Sequence, residues 1–246
     1  MSKVYAMSDI HGCLDVLEEK MKLIDMSGDN ILVFLGDYID RGQYSRQVLE
    51  YIKNLQNKYG ENKIIALKGN HEAMFLDWLD DENDLYWLQM DVALITTSTF
   101  LTEEQLQKLD IIGRRADGET INNFVVDCVK TNYSDLIEWM RDLPSYYETD
   151  DNQIYVHAGV DEDAGEFWMI GSSDEMFLWK FPPTTGKFVS TVIAGHVHTC
   201  KVTGDPNYFD IYYDNASHYY IDGHVIRSGN IPILEYDTDT KKYRQL

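Results

Sequence analysis

The stretch Ile31-Leu32-Val33-Phe34-Leu35-Gly36-Asp37-Tyr38-Ile39-Asp40-Arg41-Gly42 joins an apolar run to a polar loop. A nearly continuous apolar run predicts a strand that is covered on both faces, as in a parallel sheet. Similar runs and helical periodicities alternate around it. The predicted strands span 4–8, 31–35 and 64–67, and the predicted helices span 14–26 and 45–59. This strand–helix repetition predicts parallel strands joined by right-handed crossovers.

Short polar motifs follow the predicted strands, at the strand ends where α/β proteins bind ligands. The motifs are Asp9-Ile10-His11-Gly12, the loop 36–42, Gly69-Asn70-His71-Glu72, His157-Ala158-Gly159 and Gly195-His196-Val197-His198. Their carboxylate, amide and imidazole groups suit two divalent ions that share one carboxylate. Two such ions can clamp the attacking and leaving oxygens of an in-line displacement at phosphorus. The motifs therefore predict a hydrolase of phosphate esters or anhydrides.

Residue type and spacing suggest a role for each ligand. Asp9 and His11 are two positions apart, so both can reach one metal from a strand end. Asp37 is the predicted bridge, because a carboxylate has two oxygens to share. Asn70 offers an amide oxygen to a hard cation. Three histidines follow later strands. His157 and His196 are predicted to bind one metal, and His198 to bind the other.

Three further polar residues suit catalysis at phosphorus. An imidazole at His71 could protonate the departing oxygen, with Asp40 orienting the ring. The alternatives for His71 are a metal ligand or a packing residue. The guanidinium of Arg41 has a planar fork that suits two phosphate oxygens. Its alternative is a surface ion pair.

The rest of the chain is predicted to complete a single domain, 1–246. Helical periodicity across 72–147 predicts a helical insertion, and no linker-like segment flanks it. Strands are predicted at 154–157, 190–194, 210–213, 219–221 and 231–236. Asp222-Gly223 is interpreted as a turn. His218 and His224 lack the strand-end context of the other histidines and are interpreted as structural.

Composition excludes several classes of protein. The formal net charge of −21 argues against a nucleic-acid partner, which usually needs a basic face. No apolar run approaches the roughly 20 residues of a transmembrane helix, so no membrane partner is expected. The chain has three cysteines, an odd and small number that fits a reducing compartment without disulfides. Together with the expected absence of a signal peptide, this number favours a cytoplasmic location. Composition leaves the oligomeric state open.

The five motifs, in their order along residues 9–198, resemble those of the calcineurin-like metallophosphoesterase superfamily. The form Gly36-Asp-x-x-Asp-Arg-Gly42 is similar to its phosphoprotein phosphatase branch. That branch includes bacterial serine/threonine protein phosphatases and symmetrical dinucleoside tetraphosphatases. The resemblance implies a mixed α/β fold, a four-layer αββα sandwich of two mixed sheets flanked by helices.

The same resemblance implies a role for each site residue. Asp9, His11 and Asp37 would hold the first metal, whereas Asp37, Asn70, His157 and His196 would hold the second. His71 would be the general acid, Asp40 its orienting partner and Arg41 the phosphate ligand, with Asn70 also at the substrate. The metals would be manganese, an iron–zinc-type pair or magnesium.

Three features differ from the branch, and the first is the absence of its usual Gly-Gly pair near Met90-Asp91. Gly195-His196-Val197-His198 replaces the usual Gly-His-Thr and matches the wider superfamily, so His198 is added to the predicted ligands of the first metal. Related bacterial enzymes carry Leu-Trp-x-Arg, whose Arg binds substrate. Here Leu178-Trp179 is followed by Lys180, which is predicted to take the place of that Arg.

The expected function is a metal-dependent phosphoesterase in which a hydroxide made available by the metals attacks phosphorus in line. The expected substrates are phosphoserine or phosphothreonine proteins, or small phosphomonoesters. A symmetrical dinucleoside tetraphosphate hydrolase is the alternative. A metallo-nuclease and a non-catalytic metal-binding scaffold are further alternatives.

Overall fold

The computed structural model describes residues 2–81 and 85–246, and its strands form two five-stranded mixed sheets. The first sheet has the order β10-β9-β1-β2-β3 and the second β4-β5-β6-β8-β7. The strands of the first sheet are β1 (Lys3–Met7), β2 (Ile31–Phe34), β3 (Ile64–Ala66), β9 (Leu234–Asp237) and β10 (Lys242–Gln245). Those of the second are β4 (Tyr146–Thr149), β5 (Gln153–Val156), β6 (Thr191–Ala194), β7 (Tyr212–Tyr213) and β8 (His218–Tyr220).

Each sheet contains three adjacent parallel strands and two further strands that pair antiparallel to their neighbours. In the first sheet β1, β2 and β3 run parallel, with Tyr5 opposite Leu32. In the second sheet β5, β6 and β8 run parallel, with Tyr155 opposite Ile193. The outer strands β9, β10, β4 and β7 pair antiparallel to their neighbours. The carboxyl ends of six parallel strands are therefore available to carry polar loops.

Alternating side chains along each strand divide the core into layers. Val4 and Ala6 pack with Tyr155 and Ile193 between the two sheets. The intervening Tyr5 and Met7 face the opposite way, into a helical layer. On the far side of the second sheet, residues such as Ile154 pack against short helices. The chain therefore forms the predicted four-layer sandwich with two mixed sheets inside and helices outside.

Helices flank both sheets and fill the segment between β3 and β4. The long ones are α1 (Leu14–Met21), α2 (Ser45–Tyr59), α3 (Asn70–Asp80), α5 (Glu103–Gly113), α6 (Gly118–Asn132) and α7 (Ser134–Arg141). The short ones are α4 (Tyr86–Met90), α8 (Trp168–Gly171), α9 (Asp174–Trp179), α10 (Thr199–Thr203) and α11 (Val225–Ser228). Single 3-10 turns occur at Val92–Leu94, Thr97–Phe100 and Gly165–Phe167. None of the helices in the described ranges has the length and apolarity to span a bilayer.

The predicted helical insertion, 72–147, begins within α3 and overlaps the start of β4 at Tyr146. Its residues 82–84 lie outside the described part of the chain. Helix α1 ends at Met21, before the predicted end at 26. After it, Asp25 accepts the backbone N–H of Ser27 at 2.9 Å. Such a side-chain turn competes with the helix for backbone groups.

Candidate metal centre

Polar residues from the two sheets converge at one edge of the sandwich. Six of them each follow the carboxyl end of a parallel strand. Asp9 follows β1, Asp37 follows β2, Asn70 follows β3, His157 follows β5, His196 follows β6 and Asp222 follows β8. The structure thus brings together five residues that the sequence predicted as ligands.

The loops that carry these residues have strained backbones. Six predicted site residues adopt positive φ angles, namely Asp9, His11, Asp37, Asp40, Arg41 and His196. Non-glycine residues in this region are uncommon and cluster at functional sites. The loops are also packed closely: a Cβ at Gly195 would overlap Ser8 Oγ and Asp9 Oδ2. Such strain persists only where the surrounding contacts impose it, so the shape of the site is held by the fold.

Asp37 lies between two groups of ligand atoms. Its Oδ2 is 3.7 Å from His11 Nε2 and 3.8 Å from His71 Nε2. Its Oδ1 is 3.4 Å from His157 Nε2 and accepts the backbone N–H of His71 at 3.1 Å. The two carboxylate oxygens therefore face different clusters, which is the arrangement that a bridging ligand needs.

The first cluster is the group of ligand atoms around His11 Nε2, on the Oδ2 side of Asp37. Two of its buried atoms, Asp9 Oδ1 and His11 Nε2, have no hydrogen-bond partner among the described residues. They lie 3.9 Å apart. His11 Nδ1 donates to the carbonyl of Ile39 at 2.9 Å, so in the neutral ring Nε2 carries the lone pair. Buried polar atoms are normally satisfied, and a cation between this carboxylate oxygen and this nitrogen would satisfy both.

The second cluster also places acceptor atoms face to face. His157 Nδ1 donates to the carbonyl of Leu35 at 2.9 Å, which leaves the lone pair on Nε2 in the neutral ring. That Nε2 lies 2.8 Å from Asn70 Oδ1, and His196 Nδ1 lies 3.1 Å from the same oxygen. In the neutral ring of His157 no proton lies between Nε2 and Asn70 Oδ1, and nitrogen and oxygen ligands that face each other in this way suit a divalent cation.

The ionisation of these groups reflects burial and crowding. Burial lowers the pKa of His11 and of His196 to about 4 each, so both rings are neutral at pH 7, as metal ligands must be. Burial, with the charges of Asp222 and Asp37, raises the pKa of Asp9 well above its usual range. Burial acts to raise the pKa of Asp37, but its electrostatic interaction with the surrounding histidines holds this pKa below its usual range. A bound cation would offset the repulsion between these closely spaced carboxylates.

The donor set therefore fits the metals that the sequence predicts. It contains hard carboxylate and amide oxygens together with neutral imidazoles, and it includes two orphaned buried atoms. Grouped by mutual distance, Asp37, His157 and His196 form one potential site, and His11, Asp37 and His71 form another. Asp9 Oδ1 adds a further oxygen beside the second of these groups, 3.9 Å from His11 Nε2.

His71, Asp40 and Arg41 form one contiguous group beside the metal ligands. His71 Nδ1 lies 2.5 Å from Asp40 Oδ2, and Arg41 Nη2 lies 3.4 Å from His71 Nε2. Burial acts downward on the pKa of His71, but the charge of Asp37 and the bond to Asp40 raise it to about 9. The protonated ring is therefore available at neutral pH, with its Nε2 turned toward the metal ligands and Arg41.

Sequence reasoning missed two residues that position this group. The buried carboxylate of Glu72 accepts the backbone N–H groups of Asp37, Tyr38 and Gly69 at 2.8–2.9 Å. It thereby fixes the loop that carries Asp37. Thr96 Oγ1 donates to Asp40 Oδ1 at 2.5 Å, opposite the bond from His71. A carboxyl three residues after a glycine at a helix start is a capping signal, which could have revealed Glu72; no sequence signal marks Thr96.

His198 is held by a third residue that the sequence missed. Its Nδ1 lies 2.6 Å from Asp222 Oδ2, and its ring stacks on His224 with centroids 3.8 Å apart. A carboxylate on one imidazole nitrogen is the usual outer partner of a metal-binding histidine. The role of His198 as a ligand stays a prediction. Asp222 was interpreted as a turn residue, although it follows β8 as the ligands follow their strands.

Lys180, the predicted substrate ligand, is held away from that role by other contacts. Its Nζ donates to the carbonyl of Val160 at 2.7 Å and to Glu162 Oε1 at 2.9 Å. To bind a phosphate, the ammonium would have to leave this ion pair. The substrate role of Lys180 stays a prediction.

A family model described as calcineurin-like phosphoesterase matches residues 2–200. The chain belongs to the calcineurin-like phosphoesterase family. Among curated proteins, serine/threonine-protein phosphatase 2 of Salmonella typhimurium (strain LT2) is 33% identical over 85 residues. That alignment covers 34% of this chain and 36% of the relative, so it spans about a third of each protein.

Two solved structures share the fold of this calcineurin-like phosphoesterase. A candidate diadenosine tetraphosphatase has a TM-score of 0.60 and 16% identity, over 99% of this chain and 92% of that one. A cold-active protein tyrosine phosphatase has a TM-score of 0.61 and 17% identity, over 99% of this chain and 78% of that one. At such identities the likeness concerns the fold alone. The match over residues 2–200 identifies a calcineurin-like phosphoesterase domain in this chain.

Proposed function

We propose that this calcineurin-like phosphoesterase is a two-metal phosphohydrolase of phosphoserine or phosphothreonine proteins, or of small phosphomonoesters. The observation that carries the proposal is the position of Asp37. Its two oxygens face separate groups of nitrogen and oxygen ligands, at 3.4 Å and 3.7 Å from the nearest imidazole nitrogen of each group.

The residues that would hold the metals divide between the two oxygens of Asp37. Asp9, His11 and Asp37 would hold the first ion, with His198 as a further ligand. Asp37, Asn70, His157 and His196 would hold the second. When bound, two divalent ions lower the pKa of water and offset the negative charge on a phosphoryl group. Manganese, iron–zinc-type pairs and magnesium are the metals to test.

His71 is the proposed general acid. Its imidazole Nε2 faces the site while Asp40 holds Nδ1 at 2.5 Å, so the ring can donate a proton from Nε2 to the departing oxygen. Since the pKa of His71 is raised to about 9, the acid form predominates at neutral pH and is lost as the pH rises through 9.

Arg41 is the proposed phosphate ligand. Its guanidinium approaches His71 Nε2 at 3.4 Å, so a phosphate bound by the fork would lie beside the acid. Bidentate binding of two phosphoryl oxygens also restricts the ester to one orientation. The similarity to serine/threonine-protein phosphatase 2 over 85 residues supports the substrate class.

The proposal is tested by assaying the purified protein with each metal against four substrates side by side. These are a phosphoserine peptide, an aryl phosphate, diadenosine tetraphosphate and single-stranded DNA. The phosphopeptide or the aryl phosphate should be turned over fastest. Faster cleavage of diadenosine tetraphosphate or of DNA would replace the proposed substrate class. About two metals per chain without turnover of any substrate would contradict catalysis altogether.

A further inference from the structure

A pocket of about 300 Å³ opens directly beside the proposed acid. This volume is at the lower end of ligand-binding cavities, and it is large enough for one aromatic ring. The residues that line it are Asp40, Arg41, His71, Met74, Tyr86, Trp87, Met90, Asp91, Val92 and Ile95. We call this cavity the acid-side pocket.

The acid-side pocket has one polar wall and several apolar ones. Asp40, Arg41 and His71 form the polar wall, which is the proposed acid and phosphate-binding group. The indole of Trp87 is only 4% exposed and forms a fixed apolar surface. At the rim, Met90 and Val92 are 60% and 73% exposed. Large exposed apolar side chains next to a reactive centre indicate a surface that a ligand covers.

The segment that forms the rim is held in one conformation. Buried Asp91 accepts the backbone N–H groups of Thr96 and Thr97 at 2.9 Å and 2.8 Å. Ala93 and Leu94 both adopt positive φ angles, 58° and 55°, which a chain keeps only where other contacts impose them. The pocket wall is therefore built into the fold.

We propose that the acid-side pocket binds the leaving group, and that it selects phosphomonoesters with an aromatic or compact apolar alcohol. This inference rests on the proposed function. If His71 Nε2 protonates the departing oxygen, that oxygen lies within hydrogen-bond reach of His71, and the group attached to it extends into the adjoining space. The oxygen of a water molecule forms a new bond to phosphorus while the ester bond from phosphorus to this oxygen breaks. The alcohol leaves with the proton from His71, and the proton that the water gives up restores the acid form of the ring.

The charges around the pocket support an uncharged leaving group. Its lining includes two carboxyl groups, Asp40 and Asp91, against one guanidinium, Arg41. Arg41 is assigned to the transferred phosphoryl group. A nucleoside diphosphate leaving group would bring further negative charge next to these carboxylates, and apart from Arg41 and His71, which serve the phosphoryl group and the proton transfer, the lining as described holds no cation to bind it. An aromatic ring would instead pack against Trp87 and cover the exposed rim.

The test introduces a charge into the rim and compares two substrates of the metal-loaded enzyme. The variants are Val92→Asp and, on the neighbouring turn, Met90→Glu. The substrates are phenyl phosphate, whose ring would enter the pocket, and glycerol 2-phosphate, whose polar alcohol would gain little from it. The variants should lower kcat/KM for phenyl phosphate about tenfold more than for glycerol 2-phosphate.

A matched control adds the same charge elsewhere. Ile170 is 85% exposed and lies outside the lining of the acid-side pocket. Ile170→Asp should leave the ratio of kcat/KM values for the two substrates unchanged. Circular dichroism and metal content report whether each variant is folded and loaded. The inhibition constant of inorganic phosphate separates loss of the phosphate site from loss of the pocket.

The outcomes separate this inference from the proposed function. An equal loss on both substrates, or no loss in either rim variant, would overturn the leaving-group assignment while the enzyme remained a phosphohydrolase. A wild-type enzyme that hydrolyses glycerol 2-phosphate more efficiently than phenyl phosphate would also overturn it. Absence of turnover on both esters in the wild type would overturn the proposed function itself.

Discussion

Two groups of histidines and carboxylates in the described part of the molecule, one buried and one partly buried, are built differently. One is the metal centre, made of Asp9, His11, Asp37, Asn70, His157 and His196. The other is the Glu162 network, made of Glu162, Lys180, Asp214 and His218. In the network His218 bonds Asp214 through Nδ1 at 2.8 Å and Glu162 through Nε2 at 2.9 Å. Glu162 also pairs with Lys180, so each charge has a partner.

In the metal centre, His11 and His157 each form a hydrogen bond to the protein backbone through one ring nitrogen only. His11 and His157 donate Nδ1 to backbone carbonyls, and their Nε2 atoms face oxygen acceptors. A histidine satisfied at both nitrogens by carboxylates stabilises the fold, whereas one with a free lone pair among oxygens is prepared for a cation. The partner of the second imidazole nitrogen, rather than burial, therefore distinguishes a metal-binding histidine from a structural one.

The largest expected effect comes from removing the carboxylate at the middle of the metal centre. Asp37→Asn should lower turnover of an aryl phosphate by at least about 100-fold, because both ions lose a charged ligand. Elemental analysis should find less of both metals. The matched control is Asp214→Asn in the Glu162 network, which should keep its metals and its turnover. Equal metal loss in both variants would erase the distinction between the two groups.

A second substitution tests whether His71 belongs to the metal ligands or to catalysis. His71→Asn should lower kcat by about 10²–10⁴-fold, the range of general acid catalysis, with metal content near that of the wild type. A variant that loses one metal would assign His71 to the ligands, as its 3.8 Å approach to Asp37 also permits.

A smaller effect is expected at the outer partner of Asp40. Thr96→Val removes the hydroxyl that donates to Asp40 Oδ1, so His71 should be held less well. Loss of such an outer partner typically costs about 10–100-fold in activity. Thr96→Ser keeps the donor and should restore most of the rate. Loss of activity in both variants would instead indicate a packing role for the Thr96 methyl group.

The smallest effect on activity, with a measurable effect on stability, is expected in the Glu162 network. Burial acts to lower the pKa of His218, but its bonds to Glu162 and Asp214 raise it above the ordinary value of 6.5. The protonated ring therefore stabilises the fold below pH 6.5, and this contribution is lost as the pH rises through the raised pKa. His218→Gln should lower the free energy of unfolding by about 1.5–3 kcal/mol at pH 6.

Chemical denaturation at pH 6 and pH 8 checks this sign. The stability gap between the wild type and His218→Gln should narrow at the higher pH, with aryl phosphate turnover little changed. A gap that widens with pH would show that His218 is neutral in the folded protein. The contrast with the metal centre, where substitutions act on turnover, would then need another explanation.

The sequence predicts the centre of each sheet because buried parallel strands are continuous apolar runs. It misses two of the four edge strands, β10 and β4. Strand β10 has the sequence Lys-Tyr-Arg-Gln, in which only Tyr243 packs into the core between the sheets. Charged edge strands of this kind avoid pairing with other chains, and they carry little periodic signal. Strand β4 is partly exposed and lies at the end of the helical segment, where the sequence predicts no strand.

The candidate site divides in a similar way. The sequence predicts the residues in short motifs at strand ends, because their type and position indicate their chemistry. Glu72, Thr96 and Asp222 act through contacts between segments distant along the chain, such as the 56 positions between Thr96 and Asp40. Only folding brings those pairs together, so a single sequence carries no local sign of them.

The origin of the ligands in both sheets has a consequence for folding. Asp9, Asp37 and Asn70 extend from the first sheet, whereas His157 and His196 extend from the second. Ions held between them would act as a cross-link across the sandwich, closing a long chain loop as a disulfide would. Metal at a hundred times its dissociation constant would add about 2.7 kcal/mol of stability, and chelation should lower the free energy of unfolding by about the same amount.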